Sequence, residues 1–127
     1  VCFHEERARI GNAAVYFHTN SLPRGAMGFF LDRKVSAVVG THTHIQTADE
    51  KILPGGTAYI TDLGSTGPVD SVIGFDPSLA SERVTTQVPH QLKVVDSPAT
   101  ICGVAIVVDV RSGKARSIER IRHYLGV

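Results

Sequence analysis

The stretch at residues 35–50, VSAVVGTHTHIQTADE, decides how the rest of the chain is read. It opens on an apolar run of Val35, Ala37, Val38 and Val39, reaches Gly40, and then delivers His42 and His44 with one threonine between them. A short valine-rich run that ends in glycine and polar residues predicts a buried strand over 35–39 feeding a loop. Along an extended backbone residues i and i+2 share a face, so both imidazoles can be aimed at one point beyond the strand's carboxyl end. In α/β sheets that edge is where ligands bind. Neutral imidazole is the commonest protein ligand for a transition metal. The pair therefore reads as half of a metal site, with a solvated His-x-His pair in a loop as the ordinary alternative.

The chain has 127 residues, of which 43% are hydrophobic and 20% charged, enough for one domain with a core. A net charge of +1 provides no basic field for a nucleic-acid polymer. No apolar run approaches the roughly 18 residues that span a bilayer. Residues 1–9 carry Glu5, Glu6, Arg7 and Arg9 and no apolar segment, so no export signal is read there. Cys2 and Cys102 stand far apart and outside any Cys-x-x-Cys pair, which argues against a cysteine zinc site. A disulfide between them stays open, but the expectation is a reduced, cytoplasmic protein.

The remaining chain alternates strand-like and loop-like runs. Residues 1–3 are a candidate strand with His4 at its end, and Glu5 and Glu6 suit the first turn of a helix. AAVYF at 13–17 fits a strand or a helical turn, and HTNSLPRG at 18–25 is loop-like. Met27, Phe30 and Leu31 predict a short helix over 26–32 with these side chains in the core under the sheet. Residues 45–50 read as a loop in which Asp49 and Glu50 are candidate supports for the imidazoles, and ILPGG at 52–56 reads as a turn. TAYIT at 57–61 is the next strand, and DLGSTGP at 62–68 is a glycine-rich loop at its end. Such a loop can bring backbone N–H groups close to a phosphate, which makes Gly64, Thr66 and Gly67 candidate substrate-binding residues. Asp76 before Pro77 predicts an N-cap and a helix over 77–83. Residues 92–95 are a short strand candidate. TICGVAIVVDV at 100–110 is the strongest strand, 111–114 a hairpin turn, and 115–124 a returning strand with one face wet. His90 and His123 have no ligand-type neighbours and read as structural or solvated.

With these residues in view, the run at 35–70 resembles the carboxyl-terminal half of the YmdB-like metallophosphoesterases, within the calcineurin-like phosphoesterase superfamily. The string Gly-Thr-His-Thr-His-x-x-Thr-Ala-Asp-Glu carries most of the likeness. Phe3-His4-Glu5-Glu6 is similar to that family's Phe-His-x-Glu motif, and 100–124 to its closing strands. The resemblance implies an α/β fold, part of a two-sheet metallophosphoesterase sandwich with flanking helices. It implies two divalent or trivalent metal ions, iron or manganese, with His4, His42 and His44 at metal-ligand positions. Family members include phosphodiesterases acting on 2′,3′-cyclic nucleotides, so the implied partner is a phosphoester or cyclic nucleotide, with no membrane and an open question of homo-oligomers. Two metals about 3.5–4 Å apart can hold phosphoryl oxygens for in-line displacement by water.

The family's aspartate, glutamate and asparagine ligands, and the histidine that protonates the leaving group, belong to amino-terminal motifs not found in this sequence. His18 is the candidate substitute for that histidine. The expectation is therefore the carboxyl-terminal portion of a phosphodiesterase domain that is catalytic when intact. Two alternatives stay open: a non-catalytic remnant that binds a partner, and a structural zinc site built on His42 and His44.

Overall fold

A computed structural model describes residues 13–18 and 21–126, with residues 21–24 described by their backbone alone. His4, Cys2 and the strand expected at 1–3 lie outside the described residues. The AAVYF run resolves as a strand, β1 (Ala14–His18), which is followed by a helix, α1 (Ser21–Leu31), and a second strand, β2 (Ala37–Thr41). β1 and β2 are parallel, in a register from Ala14 beside Ala37 to His18 beside Thr41. Parallel neighbours need a crossover, and α1 supplies it. The helix starts at Ser21, not at the expected residue 26. Pro23 does not prevent this, because N–H groups of the first helical turn have no intrahelical acceptor to lose.

A short strand, β3 (Lys51–Ile52), runs antiparallel to β4 (Ala58–Ile60), which in turn lies parallel to β2, giving the order β1-β2-β4-β3. β3 occupies positions read as loop and turn. A second sheet contains β5 (Gly67–Pro68), β6 (Ala99–Val108) and β7 (Ala115–Leu125), all antiparallel in that order. The end of the glycine-rich loop thus becomes a strand. Between β5 and β6 stands α2 (Pro77–Thr86), capped as expected by Asp76, whose carboxylate accepts from Ser78 N at 2.8 Å and Leu79 N at 3.1 Å. It runs three residues past the expected end and stops where Gln87 takes a left-handed conformation. The strand expected at 92–95 reduces to one bridge, Val94 with Phe75.

Alternation along β2 explains the layers. Val38 points into a cluster with Val35, Leu53 and Tyr59, onto which Leu31 of α1 packs. Ala37 points the other way, where it meets Ala58, Ala115, Ile106 and Ile118. Three alanines at that contact let the two sheets approach closely, and Ala115 N donates to Gly56 O at 2.8 Å across it. On the helix side, Gly28 is buried against Tyr59, so close that an added Cβ would lie 2.7 Å from its ring. That contact sets the helix rotation. Phe30, expected in the core, is 64% exposed, and Lys34 Nζ stands 3.8 Å above its ring centroid. β6 ends two residues short of Val110, and the hairpin turns on the Asp109 carboxylate, which accepts from Arg111 N and Ser112 N and binds Arg116. From Glu119 onward β7 is exposed on both faces, not on one. Among the described residues no helix is long and apolar enough to cross a membrane.

Candidate metal and substrate site

His18 ends β1, and His42 and His44 follow β2, at the carboxyl edge of the parallel strands. Their organiser is Asp62, two residues beyond β4 and 0% exposed. Its Oδ2 accepts from His42 N at 2.9 Å, Thr43 N at 2.7 Å and Thr43 Oγ1 at 2.7 Å, and its Oδ1 accepts from Gly64 N at 2.9 Å. The Asp62 backbone is also held, by Thr47 on both sides: its N–H donates to Thr47 Oγ1 at 2.9 Å and its carbonyl accepts from Thr47 N at 3.1 Å. Burial pushes this carboxyl up, but the donors from Gly64, Thr43 and His42 outweigh it and bring the group from 3.8 down to about 2. Asp62 is not among the site residues that the sequence singles out. The available signal was an acid directly after the apolar TAYIT run, one strand over from the histidines.

Asp49 and Glu50, expected to support the imidazoles, brace other parts of the fold. Asp49 accepts from the Thr47 hydroxyl at 2.6 Å, from Thr61 N at 3.1 Å and from the Thr61 hydroxyl. Burial raises its carboxyl, and these hydrogen bonds more than reverse that and leave it lowered. Glu50 accepts from Arg120 Nε at 2.8 Å, which joins the loop to β7 and holds the Glu50 carboxyl below its ordinary value.

The loop after β2 does not stay extended. His44 adopts φ 66°, a left-handed conformation uncommon for any residue with a Cβ. The extended geometry on which the i, i+2 expectation rests is therefore interrupted at His44. Gly64 packs beneath this loop at φ 79°, where a Cβ would stand 2.8 Å from Gln46 N. Gln46 Nε2 donates to Gly103 O at 2.9 Å and Ile121 O at 3.2 Å, tying the loop to β6 and β7. Backbone strain held in place by surrounding contacts is characteristic of functional sites.

His18 is brought in by the parallel register. Its ring centroid lies 5.4 Å from that of His42, edge to face at 76°. The sequence holds two Phe-His pairs, Phe3-His4 and Phe17-His18, and within the described residues it is Phe17-His18 that ends a strand beside β2. His44 instead lines an open cavity of about 800 Å³ between the loop after β2, the loop before β5 and the β6–β7 sheet. Among the described residues no group of three His, Cys, Asp or Glu side chains is gathered closely enough for a metal ion. Two exposed imidazoles at adjacent parallel strand ends nevertheless fit the nitrogen-donor part of a transition-metal site.

The candidate phosphate contacts are differently placed. The Gly64 amide is committed to Asp62. Thr66 Oγ1 accepts from Cys102 N at 3.2 Å, and Gly67 pairs with Thr100 in β5. Thr66 and Gly67 both line the cavity. His90 Nε2 stands 3.5 Å from Glu82, and the His123 backbone carbonyl accepts from Thr100 Oγ1.

This chain is similar to proteins of known sequence and structure. A Bacillus subtilis (strain 168) protein named 2′,3′-cyclic-nucleotide 2′-phosphodiesterase is 50% identical over 96 residues, covering 76% of this chain and 36% of that protein. A putative phosphatase/phosphodiesterase of Mycoplasma pneumoniae is 36% identical over 110 residues, covering 85% and 39%. The crystal structure of a hypothetical protein from Thermus thermophilus superposes with a TM-score of 0.83 at 30% identity, over 91% of this chain and 45% of the other. That of a novel phosphatase from Mycoplasma pneumoniae gives 0.81 at 35% identity, over 87% and 40%. The chain spans about two-fifths of the length of the curated relatives it matches. The α/β two-sheet architecture expected from the sequence is the one these structures share. With residues 4–121 matching the YmdB-like protein family, the chain belongs to that family.

Proposed function

We propose that this chain forms the histidine-bearing part of a metal-dependent phosphodiesterase whose substrate is a 2′,3′-cyclic nucleotide. The observation that carries the reading is the meeting of His18 and His42 at the ends of two parallel strands, above a loop locked by the buried Asp62 carboxylate. His18, His42 and His44 would hold metal, with His18 in the position that the resemblance assigned to His4. A pair of iron or manganese ions would supply charge neutralisation at the phosphoryl oxygens and an activated water. The chain's own residues do the positioning. Asp62 fixes the backbone of His42 and Thr43, and Gln46 fixes the segment that carries His44. Their placement costs no rearrangement when substrate arrives, which is how preorganised sites lower a barrier. Carboxylate ligands complete such a centre, and in this proposal they come from parts of the enzyme outside the described residues.

The test is hydrolysis of bis-p-nitrophenyl phosphate and of a 2′,3′-cyclic nucleotide by the intact enzyme with iron or manganese. His18→Ala, His42→Ala and His44→Ala are each expected to abolish turnover while the protein stays folded. His42 and His44 are exposed, so their removal leaves no cavity. Retained turnover in the His18 and His42 variants refutes the assignment. The 127-residue chain by itself is expected to turn over little. One tightly held zinc with no hydrolysis would replace this reading with a structural site.

A further inference from the structure

We propose that the cavity beside His44 is the substrate-selecting pocket, in which Arg122 holds an anionic phosphoryl oxygen and the turn at residues 71–74 gives the nucleobase an apolar wall. The inference rests on the phosphodiesterase reading and assigns the residues that would choose its substrate. Its volume of about 800 Å³ falls within the range of small-molecule sites. Its lining includes the polar Ser65, Thr66, Thr100 and Arg122 and the apolar Val69, Val72 and Ile73. A nucleotide has the same division between its charged, hydroxyl-rich end and its flat base.

Two features mark these walls as more than solvated surface. The first is Ile73, which adopts φ 55° although it is β-branched, and is 62% exposed. A β-branched residue in the left-handed region is a true outlier, held only where the surroundings over-determine it. The turn is closed from several directions. Val72 N donates to Phe75 O at 2.9 Å and Phe75 N to Val72 O at 3.0 Å. Ser71 Oγ donates to Pro68 O at 2.8 Å and accepts from Gly74 N at 3.0 Å. These bonds fix a strained apolar tip at the cavity, where glycine or asparagine would sit without strain.

The second feature is the pairing of the two arginines on one face of β7. Arg120 is paired with Glu50. Arg122, two residues on, has its guanidinium carbon 5.2 Å from the Tyr124 ring centroid and, among the described residues, no carboxylate partner. Its charge is therefore available to an incoming anion. The cross-strand partner of Arg122 is Cys102, whose N–H is bound by Thr66. The Gln46 side chain binds the carbonyls of Gly103 and Ile121, the residues next to that pair. Arg122 is thereby held close to both the histidine loop and the loop before β5. A guanidinium there can meet a phosphoryl group through two parallel N–H donors.

Amide-resolved NMR titration of the ¹⁵N-labelled chain tests this with three probes: 2′,3′-cyclic AMP, adenosine and inorganic phosphate. The cyclic nucleotide is expected to shift amides at 71–74, Thr100, Cys102 and Arg122, adenosine chiefly those at 71–74, and phosphate chiefly those around Arg122. Arg122→Ala is expected to weaken cyclic nucleotide and phosphate about tenfold, with adenosine unchanged, and Arg122→Lys to restore part of the loss. Ile73→Asn, which the left-handed backbone accepts, is expected to weaken cyclic nucleotide and adenosine but not phosphate. Equal affinities in variant and parent overturn the proposal, as do shifts confined to other regions or no shifts up to about 10 mM, tenfold above the usual upper range of KM. In parallel, metal-dependent hydrolysis of bis-p-nitrophenyl phosphate is measured on the intact enzyme. No turnover there, with the cavity shifts intact, refutes the hydrolase reading and leaves the nucleotide pocket standing. Turnover with unaltered cavity variants refutes the pocket and leaves the hydrolase reading.

Discussion

Asp62→Asn removes one charge and almost no volume at the residue that organises the histidine loop. In the parent, among the described residues, three donors meet Oδ2 and Gly64 N meets Oδ1. If the asparagine carbonyl faces the three, its amino group faces the Gly64 N–H, donor against donor. The flipped amide is worse, since it sets the amino group against the His42 and Thr43 N–H groups. At least one buried donor is orphaned and the others lose a charged acceptor, for a cost of about 2–4 kcal/mol. Linkage gives an independent figure. The carboxyl falls from 3.8 to about 2 on folding, a depression of about 1.8 units and about 2.5 kcal/mol of stability at neutral pH. Because the folded value is the lower one, that stability is fully present above the ordinary carboxylate value. It is lost as pH falls through about 4 toward 2, with about 2 kcal/mol gone at pH 2.

The assay is urea unfolding of parent and Asp62→Asn at a series of pH values from 7 to 2. Asp49, Glu50 and Asp109 also have lowered carboxyls, so both proteins weaken in acid. The gap between the two curves isolates Asp62. It should stand at about 2–4 kcal/mol at pH 7 and shrink by about 2 kcal/mol by pH 2. The His42 and Thr43 amide protons report the same event locally, moving upfield in the variant as their charged acceptor is lost. A variant within about 0.5 kcal/mol of the parent at pH 7, or a gap that does not change with pH, refutes the claim that Asp62 anchors this loop.

Further substitutions test the packing around the site. Gly64→Ala should cost about 1–3 kcal/mol in urea unfolding, because φ 79° and the approach to Gln46 N both oppose a Cβ. In α1, Gly28→Ala should destabilise by about 1–3 kcal/mol as its methyl meets the Tyr59 ring, while Gly25→Ala, which meets nothing within 4 Å, should stabilise by about 0.5–1 kcal/mol. Asp76→Ala should cost about 1 kcal/mol and speed amide exchange at Ser78 and Leu79, the two N–H groups it caps.

The elements legible in the sequence were those whose signals are local. The 35–39 and 57–61 runs are apolar and punctuated by glycine or acid, the long 100–110 and 115–124 runs face one another across a polar turn, and Asp76-Pro77 announces its own helix. β1 was ambiguous because AVYFH suits a strand only when β2 lies beside it, and that pairing partner comes only after Leu31 has closed the crossover helix. β3 and β5 are two residues each and exist only through their partners in β4 and β6. The site shows the same division. His42 and His44 could be found from their spacing, but not their directions, which depend on the left-handed turn at His44. Asp62 looked like the first residue of a flexible loop, yet it is as buried as any described side chain. Likewise Phe3-His4 and Phe17-His18 are equivalent as text, and the parallel register gives the second pair its place beside His42. What the sequence withheld was the tertiary half of the site: a carboxylate that faces inward to the backbone, so that the imidazoles can face outward.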